Sequence, residues 1–319
     1  MKPEILILKP IYAPTMEALA RDYTLHKLWD APDALAFMRE VGSNVRGLVT
    51  TGVIGFSREQ VDALPKLEIV ACFGSPRGTF DMTAAQARKI VVTTTPDVTA
   101  PSVADLALGL MLSLMRRICE GDRFVRAGRW RTNAPAVGSE VGGKTCGIIG
   151  LGQIGAGIAS RAEAFGMAVC YHGPRSKDVP YRYCADLHGM AQISDCLVIA
   201  CPSTAETRGL VDARILDALG ADGFLVNVAR GEIVDEKALI DALERKRIAG
   251  AALDVYWREP EVPAALLAME NVVLAPHVGS TTRELREERS TKLLANLAAH
   301  FAGKPVPNPV DQAEASRRR

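Results

Sequence analysis

The chain has 319 residues, 48% of them hydrophobic, enough apolar content to bury two cores and hence to form two domains. Its 38 basic and 37 acidic residues nearly cancel to a net charge of +1, which excludes a nucleic-acid or membrane-surface binder driven by charge; the basic run Arg317-Arg318-Arg319 reads as a solvated tail. Seven cysteines without CxxC spacing exclude a disulfide framework; no metal is expected, and with no charged-then-apolar leader after Met1 and no apolar run of bilayer length the expectation is a reduced, cytoplasmic protein.

The apolar runs Ile5-Leu6-Ile7-Leu8, Gly47-Leu48-Val49-Thr50, Glu68-Ile69-Val70-Ala71 and Ile90-Val91-Val92-Thr93 alternate with helical patterns. This is a βαβ rhythm and predicts a parallel sheet in the α/β class. A long apolar helix follows, from about Ser102 to Cys119, and a Gly/Pro/Trp-containing connection from Gly128 to Gly143 leads to the strand Cys146–Ile149. Further strands are expected at Ala168–Tyr171, Cys196–Ala200, Gly223–Asn227, Gly250–Leu253 and Val272–Leu274, and a final helix at about Thr282–Phe301. The expected organisation is two doubly wound α/β domains: residues 1–100 begin a substrate domain, 101–284 form an inserted dinucleotide domain, and 285–319 return to the first. The cleft between them would hold the chemistry.

The insertion is signalled by Gly150-Leu151-Gly152-Gln153-Ile154-Gly155, which stands directly after a strand and before a helix. In that context Gly150 permits the tight turn, Gly152 lets the backbone approach a pyrophosphate, and Gly155 allows close helix-on-strand packing, with the anion on the helix N-terminus. An acidic residue about 20 positions on would take the ribose hydroxyls. Here the second strand ends in His172-Gly173-Pro174-Arg175-Ser176-Lys177, without a carboxylate. Arg175, Ser176 and Lys177 offer two cations and a hydroxyl to a 2′-phosphate, which favours NADPH over NADH. The alternative is a solvated basic loop, indifferent between the two cofactors.

Three later segments each follow a strand of the inserted domain, where a doubly wound sheet places its ligands. Asn227 to Glu236 carries Arg230, a bidentate donor suited to a carboxylate but by itself more often a surface ion-pair residue. Leu253 to Pro260 carries Asp254 and Glu259, and Ala275 to Ser280 carries His277. A histidine, a glutamate and an arginine at equivalent strand exits favour an acid–base reading.

These motifs resemble the D-isomer-specific 2-hydroxyacid dehydrogenases, most closely the glyoxylate and hydroxypyruvate reductases. The resemblance covers nearly the whole chain and includes Thr95-Pro96-Asp97-Val98, Val103-Ala104-Asp105-Leu106-Ala107, Gly128-Arg129-Trp130, Cys201 to Gly209, Arg230 to Glu236, Leu253 to Pro260 and Pro276 to Ser280. It implies hydride transfer to the carbonyl carbon of a small 2-keto acid, with His277 as proton donor. Glu259 would hold the imidazole in one tautomer and favour its protonated form, and Arg230 would pair with the substrate's carboxylate and carbonyl oxygens. The resemblance extends the cofactor set to Gln153, Ile154, Gly173, Cys201, Pro202, Thr207, Val228, Ala229, Asp254 and Gly279. Read without it, Pro202 ends a strand, Thr207 caps a helix and Asp254 is satisfied by backbone donors. It also implies a homodimer in which the connection Gly121–Ala136, with Trp130, embraces the partner; a tryptophan buried in its own subunit fits the sequence equally.

The loop Phe73-Gly74-Ser75-Pro76-Arg77-Gly78 departs from the family pattern. Its backbone N–H groups are implied to take the substrate carboxylate, yet Pro76 has none to donate. Phe73, Gly74, Ser75 and Arg77 are the substrate-loop candidates, with Arg77 either a compensating cation or a solvent-facing residue. Pro101 stands where relatives carry an acidic or polar residue. A dehydrogenase for a larger, dicarboxylic or sugar-derived 2-keto acid using Arg77 is therefore the alternative, and a non-catalytic dinucleotide sensor a third reading that Arg230, Glu259 and His277 argue against.

Overall fold

The computed structural model describes residues 2–74, 79–96 and 99–310, and the chain divides into two compact units, Met1–Val98 with Arg283–Arg319, and Thr99–Thr282. The first unit contains five parallel strands, β1 (Glu4–Ile7), β2 (Thr24–Lys27), β3 (Val45–Thr51), β4 (Ile69–Phe73) and β5 (Val91–Thr93), in the order β2-β1-β3-β4-β5. The period of two divides one apolar run between two cores. Ile5 and Ile7 pack with Leu19, Leu293 and Leu297 on one face, whereas Leu6 and Leu8 pack with Leu48, Leu64 and Val70 on the other. Leu293 and Leu297 belong to the helix Arg283–Phe301, which thus covers one face of the first unit's sheet. Asn296 of the same helix is buried and satisfied at both ends, donating to the Thr94 carbonyl and accepting from the Asn308 amide at 3.0 Å each.

The second unit contains seven parallel strands: β6 (Thr145–Ile149), β7 (Ala168–His172), β8 (Arg182–Tyr183), β9 (Cys196–Ile199), β10 (Phe224–Asn227), β11 (Gly250–Leu253) and β12 (Val272–Leu274). Their order is β12-β11-β10-β9-β6-β7-β8. The chain therefore runs outward from β6 in one direction, returns, and runs outward in the other. That reversal makes the carboxyl end of β6 a topological switch point, where such sheets bind ligands. The helices Ala100–Met115 and Gln153–Ala164 bury one face, and Leu187–Gln192, Ala213–Leu219 and Glu236–Glu244 the other.

One expectation needs correction. The long helix does not run on to Cys119 but stops at Met115; Arg117 adopts a left-handed backbone (φ 55°), and a separate helix spans Ile118–Arg126. Pro101 lies in the first turn of its helix, where an amide N–H has no intrahelical partner and proline is tolerated. Among the described residues no helix is long and apolar enough to cross a membrane.

Candidate active site

The strand β6 ends in Gly150, whose φ of +96° and position against Cys201 both demand glycine: a Cβ there would lie 2.6 Å from the Cα of Cys201. At Gly155 a Cβ would overlap the carbonyl oxygen of Gly150, so the helix can approach the strand end only because the side chain is absent. Gly152 differs, since nothing stands within 4 Å of a Cβ built on it. The turn is thus closed on the protein side and open at the start of the twelve-residue helix Gln153–Ala164, with Gln153 exposed and Ile154 packed inward. This shape fits a dinucleotide pyrophosphate at the helix N-terminus.

Beyond β7, Gly173 is half-buried, while Arg175, Ser176 and Lys177 are exposed, but they do not act as one cluster. The Lys177 amide donates to the Tyr171 hydroxyl at 2.7 Å, and its ammonium donates to the Leu151 carbonyl at 2.5 Å. Its charge therefore lies on the fingerprint turn, leaving Arg175 and Ser176 as the outward-facing pair. The Cys201-Pro202 segment is held by Thr207, whose hydroxyl accepts from the Thr204 amide and donates to the Pro202 carbonyl, both at 2.8 Å. Burial pushes the Cys201 thiol up to about 11.

The three strand exits of the acid–base reading follow β10, β11 and β12, which are neighbours in the sheet. At the first, the amide of Asn227 folds the chain over, accepting from the Ala229 N–H and donating to the Arg230 carbonyl at 3.0 Å each. Arg230 is consequently turned outward and exposed, with one guanidinium N–H on the Ala229 carbonyl at 2.5 Å. Val228 and Ala229 are buried in the two cores, so what they offer a cofactor is backbone. Asn227 was not singled out in the sequence; its signal is a polar residue closing a buried apolar strand.

At the second and third exits the side chains form one chain of contacts. Asp254 is 2% exposed and accepts the N–H groups of Val278 at 2.7 Å and Gly279 at 2.9 Å. Burial raises its carboxyl above the usual range, and those two donors oppose the rise. Its observed partners are thus the loop after His277. Tyr256 donates its hydroxyl to the Ala275 carbonyl at 2.9 Å, and burial pushes that phenol up to about 12. Glu259 accepts the Tyr256 N–H at 3.1 Å with one oxygen and meets His277 Nδ1 at 2.6 Å with the other. His277 itself has a left-handed backbone (φ 53°), an uncommon state for a histidine that the Asp254 contacts brace. With Nδ1 engaged by a carboxylate, Nε2 is the ring nitrogen left to give or take a proton.

In the first unit, Phe73 closes β4 and Gly74 follows it. The Gly74 amide donates to the Thr95 hydroxyl at 2.7 Å and its carbonyl accepts from the Thr94 hydroxyl at 2.7 Å, so its N–H is not the free donor the resemblance implies. Ser75 and Arg77 lie outside the described residues.

Residues 108–279 match the family model described as D-isomer specific 2-hydroxyacid dehydrogenase, NAD binding domain. The chain is 43% identical to glyoxylate/hydroxypyruvate reductase A of Arabidopsis thaliana, over 96% of this chain and 98% of the relative. It is 42% identical to a hydroxyphenylpyruvate reductase of Plectranthus scutellarioides, again over 96% and 98%. A solved structure of the NADPH-dependent glyoxylate/hydroxypyruvate reductase of Sinorhizobium meliloti in complex with NADP and malonate superposes with a TM-score of 0.80 at 39% identity, covering 97% of each chain.

Proposed function

The chain belongs to the D-isomer specific 2-hydroxyacid dehydrogenases, oxidoreductases that use a nicotinamide dinucleotide and small 2-keto acids, and from that premise we propose that it reduces glyoxylate- and hydroxypyruvate-class acids to D-2-hydroxy acids with NADPH as preferred reductant. The observation that carries this reading is the 2.6 Å contact of His277 Nδ1 with Glu259, on a loop anchored by Asp254 in the same parallel sheet whose switch point holds the fingerprint turn.

A nicotinamide dinucleotide held at the fingerprint turn would supply a hydride to the carbonyl carbon. The residues of this chain do the rest. Arg230 pairs through its exposed guanidinium with the substrate carboxylate and fixes the face of the carbonyl that is attacked. His277 Nε2 gives its proton to the carbonyl oxygen as the C–H bond forms, and Glu259 at Nδ1 keeps the ring in the orientation and tautomer that this requires. The products are the 2-hydroxy acid, the oxidised dinucleotide and a neutral imidazole, which recovers its proton from water. Gly150, Gly152 and Gly155 shape the pyrophosphate turn, while Arg175 and Ser176 receive the 2′-phosphate.

The glyoxylate/hydroxypyruvate reductases among the relatives support the small-acid reading, while the hydroxyphenylpyruvate reductase and a 2-ketogluconate reductase 38% identical to the chain keep larger acids in the substrate panel. The intact Glu259–His277 pair, which a sensing module does not need, supports an enzyme. The homodimer reading rests on the resemblance and on exposed apolar residues of one region, Ile118, Val125, Trp130 and Val137. Trp130 is 68% exposed, which removes the reading of a tryptophan buried in its own subunit. Seven free thiols suit the reducing cytoplasm.

His277→Gln tests the assignment. Turnover of hydroxypyruvate is expected to fall by at least about tenfold, as the roughly 10²–10⁴ contribution of a positioned acid requires, with NADPH affinity unchanged. Retention of more than about a tenth of the turnover overturns it.

A further inference from the structure

Glu232 lies two residues beyond Arg230 and gathers contacts from one other loop of the same unit, Ser203–Gly209. Its carboxylate accepts from the Ser203 hydroxyl with one oxygen and from the Arg208 guanidinium, at 3.0 Å, with the other. Its carbonyl accepts the Gly209 amide at 2.9 Å, and the register continues through Val211 N–H to the Ile233 carbonyl and Asp235 N–H to the Val211 carbonyl, both at 3.0 Å. The segment Pro202–Thr207, which the family resemblance puts in the cofactor set, is therefore tied at both ends to the loop that carries Arg230. The third loop joins through two contacts. Gly231 lies directly against the backbone of Tyr256 and Trp257, and Arg208 stacks over the Trp257 ring at 5.8 Å. Trp257 is two residues before Glu259.

We propose that Glu232 is a positioning residue: it fixes the backbone from which Arg230 reaches the substrate, by clamping that loop to the Ser203–Gly209 turn. The proposal rests on the assignment of Arg230 to the substrate carboxylate. The chemistry suits the task. A carboxylate accepting from a hydroxyl and a guanidinium makes two charge-assisted bonds, stronger and more directional than neutral ones. Misplacement of an oriented group by a fraction of its bond length lowers binding and rate without removing the group. The Glu232 carboxylate is engaged by Ser203 and Arg208, whereas His277 is engaged by Glu259, so the proton-transfer pair is outside its direct reach.

The test is a kinetic comparison of the full-length enzyme with Glu232→Ala, Glu232→Gln, Ser203→Ala and the Ser203→Ala/Glu232→Ala double variant, with Arg230→Ala in parallel. Glu232→Ala is expected to raise KM for the 2-keto acid by about tenfold, the scale of a lost charge-assisted bond, with the pH profile of kcat keeping its midpoint. Glu232→Gln, which keeps an acceptor for Ser203, recovers part of that loss. The double variant is no worse than Glu232→Ala, because both residues act through one clamp. A wild-type KM in Glu232→Ala, additive losses in the double variant, or a displaced pH midpoint overturns the proposal. If Glu232→Ala does not fold, Glu232→Gln and Ser203→Ala decide: an unchanged KM in both overturns it, and a raised KM in both supports it. Arg230→Ala separates the two levels. If it keeps its KM, the assignment of Arg230 itself has failed; if it loses KM while the Glu232 variants do not, only the clamp has.

Discussion

Asp254 accepts the Gly279 amide at 2.9 Å with one carboxylate oxygen and the Val278 amide at 2.7 Å with the other, so a buried anion holds the turn that presents His277. This carboxylate is therefore a support for His277, the proposed acid, as well as a candidate neighbour of the cofactor.

Asp254→Asn replaces one acceptor by an NH₂ group aimed at an amide donor. A buried N–H left unpaired costs about 1–3 kcal/mol, and a unit of this size then melts roughly 2–4 °C lower for each kcal/mol. Turnover should fall with it, because the left-handed backbone of His277 loses its brace. Calorimetry and steady-state kinetics check this together; a variant with normal melting and normal kcat contradicts the bracing role.

Lys177 and Arg175 should separate by cofactor. The Lys177 ammonium lies on the Leu151 carbonyl of the fingerprint turn, which both dinucleotides would share. Lys177→Ala is expected to weaken NADPH and NADH alike, whereas Arg175→Ala weakens NADPH selectively by about tenfold. Titration of each variant with both cofactors measures it. Equal loss of both cofactors in Arg175→Ala sinks the 2′-phosphate assignment.

Gly152 and Gly155 should also behave differently on substitution by alanine. At Gly155 a Cβ meets the Gly150 carbonyl, so Gly155→Ala is destabilised in the absence of any cofactor. At Gly152 a Cβ meets no protein atom within 4 Å, so Gly152→Ala keeps its melting temperature while losing dinucleotide affinity. Tight binding by a stable Gly152→Ala variant would mean that the pyrophosphate does not approach this backbone.

Cys201 should be a poor nucleophile. Its thiol is raised from an ordinary 9.0 to about 11 by burial, so the thiolate remains the minor form until the pH approaches the higher value. Peptide mapping after iodoacetamide treatment should show slow labelling at the ordinary midpoint, accelerating toward the raised one and fast once the chain is unfolded. Labelling in the folded enzyme as rapid as in the unfolded chain contradicts it.

Much of this arrangement was legible because its signals are local. Fully buried parallel strands read as apolar runs, and Gly150, Gly152 and Gly155 stand between a strand and a helix where few other functions need three glycines. The edge strands β2 and β8 escaped notice for a physical reason: Thr24–Lys27 and Arg182–Tyr183 are short, polar and partly exposed, so no apolar run marks them. The helix break at Arg117 was equally invisible, since Arg116 and Arg117 are good helix formers. Lys177 read as a phosphate ligand beside Arg175 because sequence adjacency does not encode direction; the Tyr171 hydroxyl, by capturing the Lys177 amide, turns that side chain back onto Leu151. Glu232 meets Ser203 and Arg208 only because the fold brings those distant residues to it.

The central claim is tested most directly by following the loss of reduced-nicotinamide absorbance with NADPH and NADH in parallel, across glyoxylate, hydroxypyruvate, phenylpyruvate, oxaloacetate and 2-ketogluconate. The account predicts turnover of glyoxylate or hydroxypyruvate, faster with NADPH, and loss of that turnover in His277→Gln. Tight cofactor binding without turnover of any of these acids would contradict it.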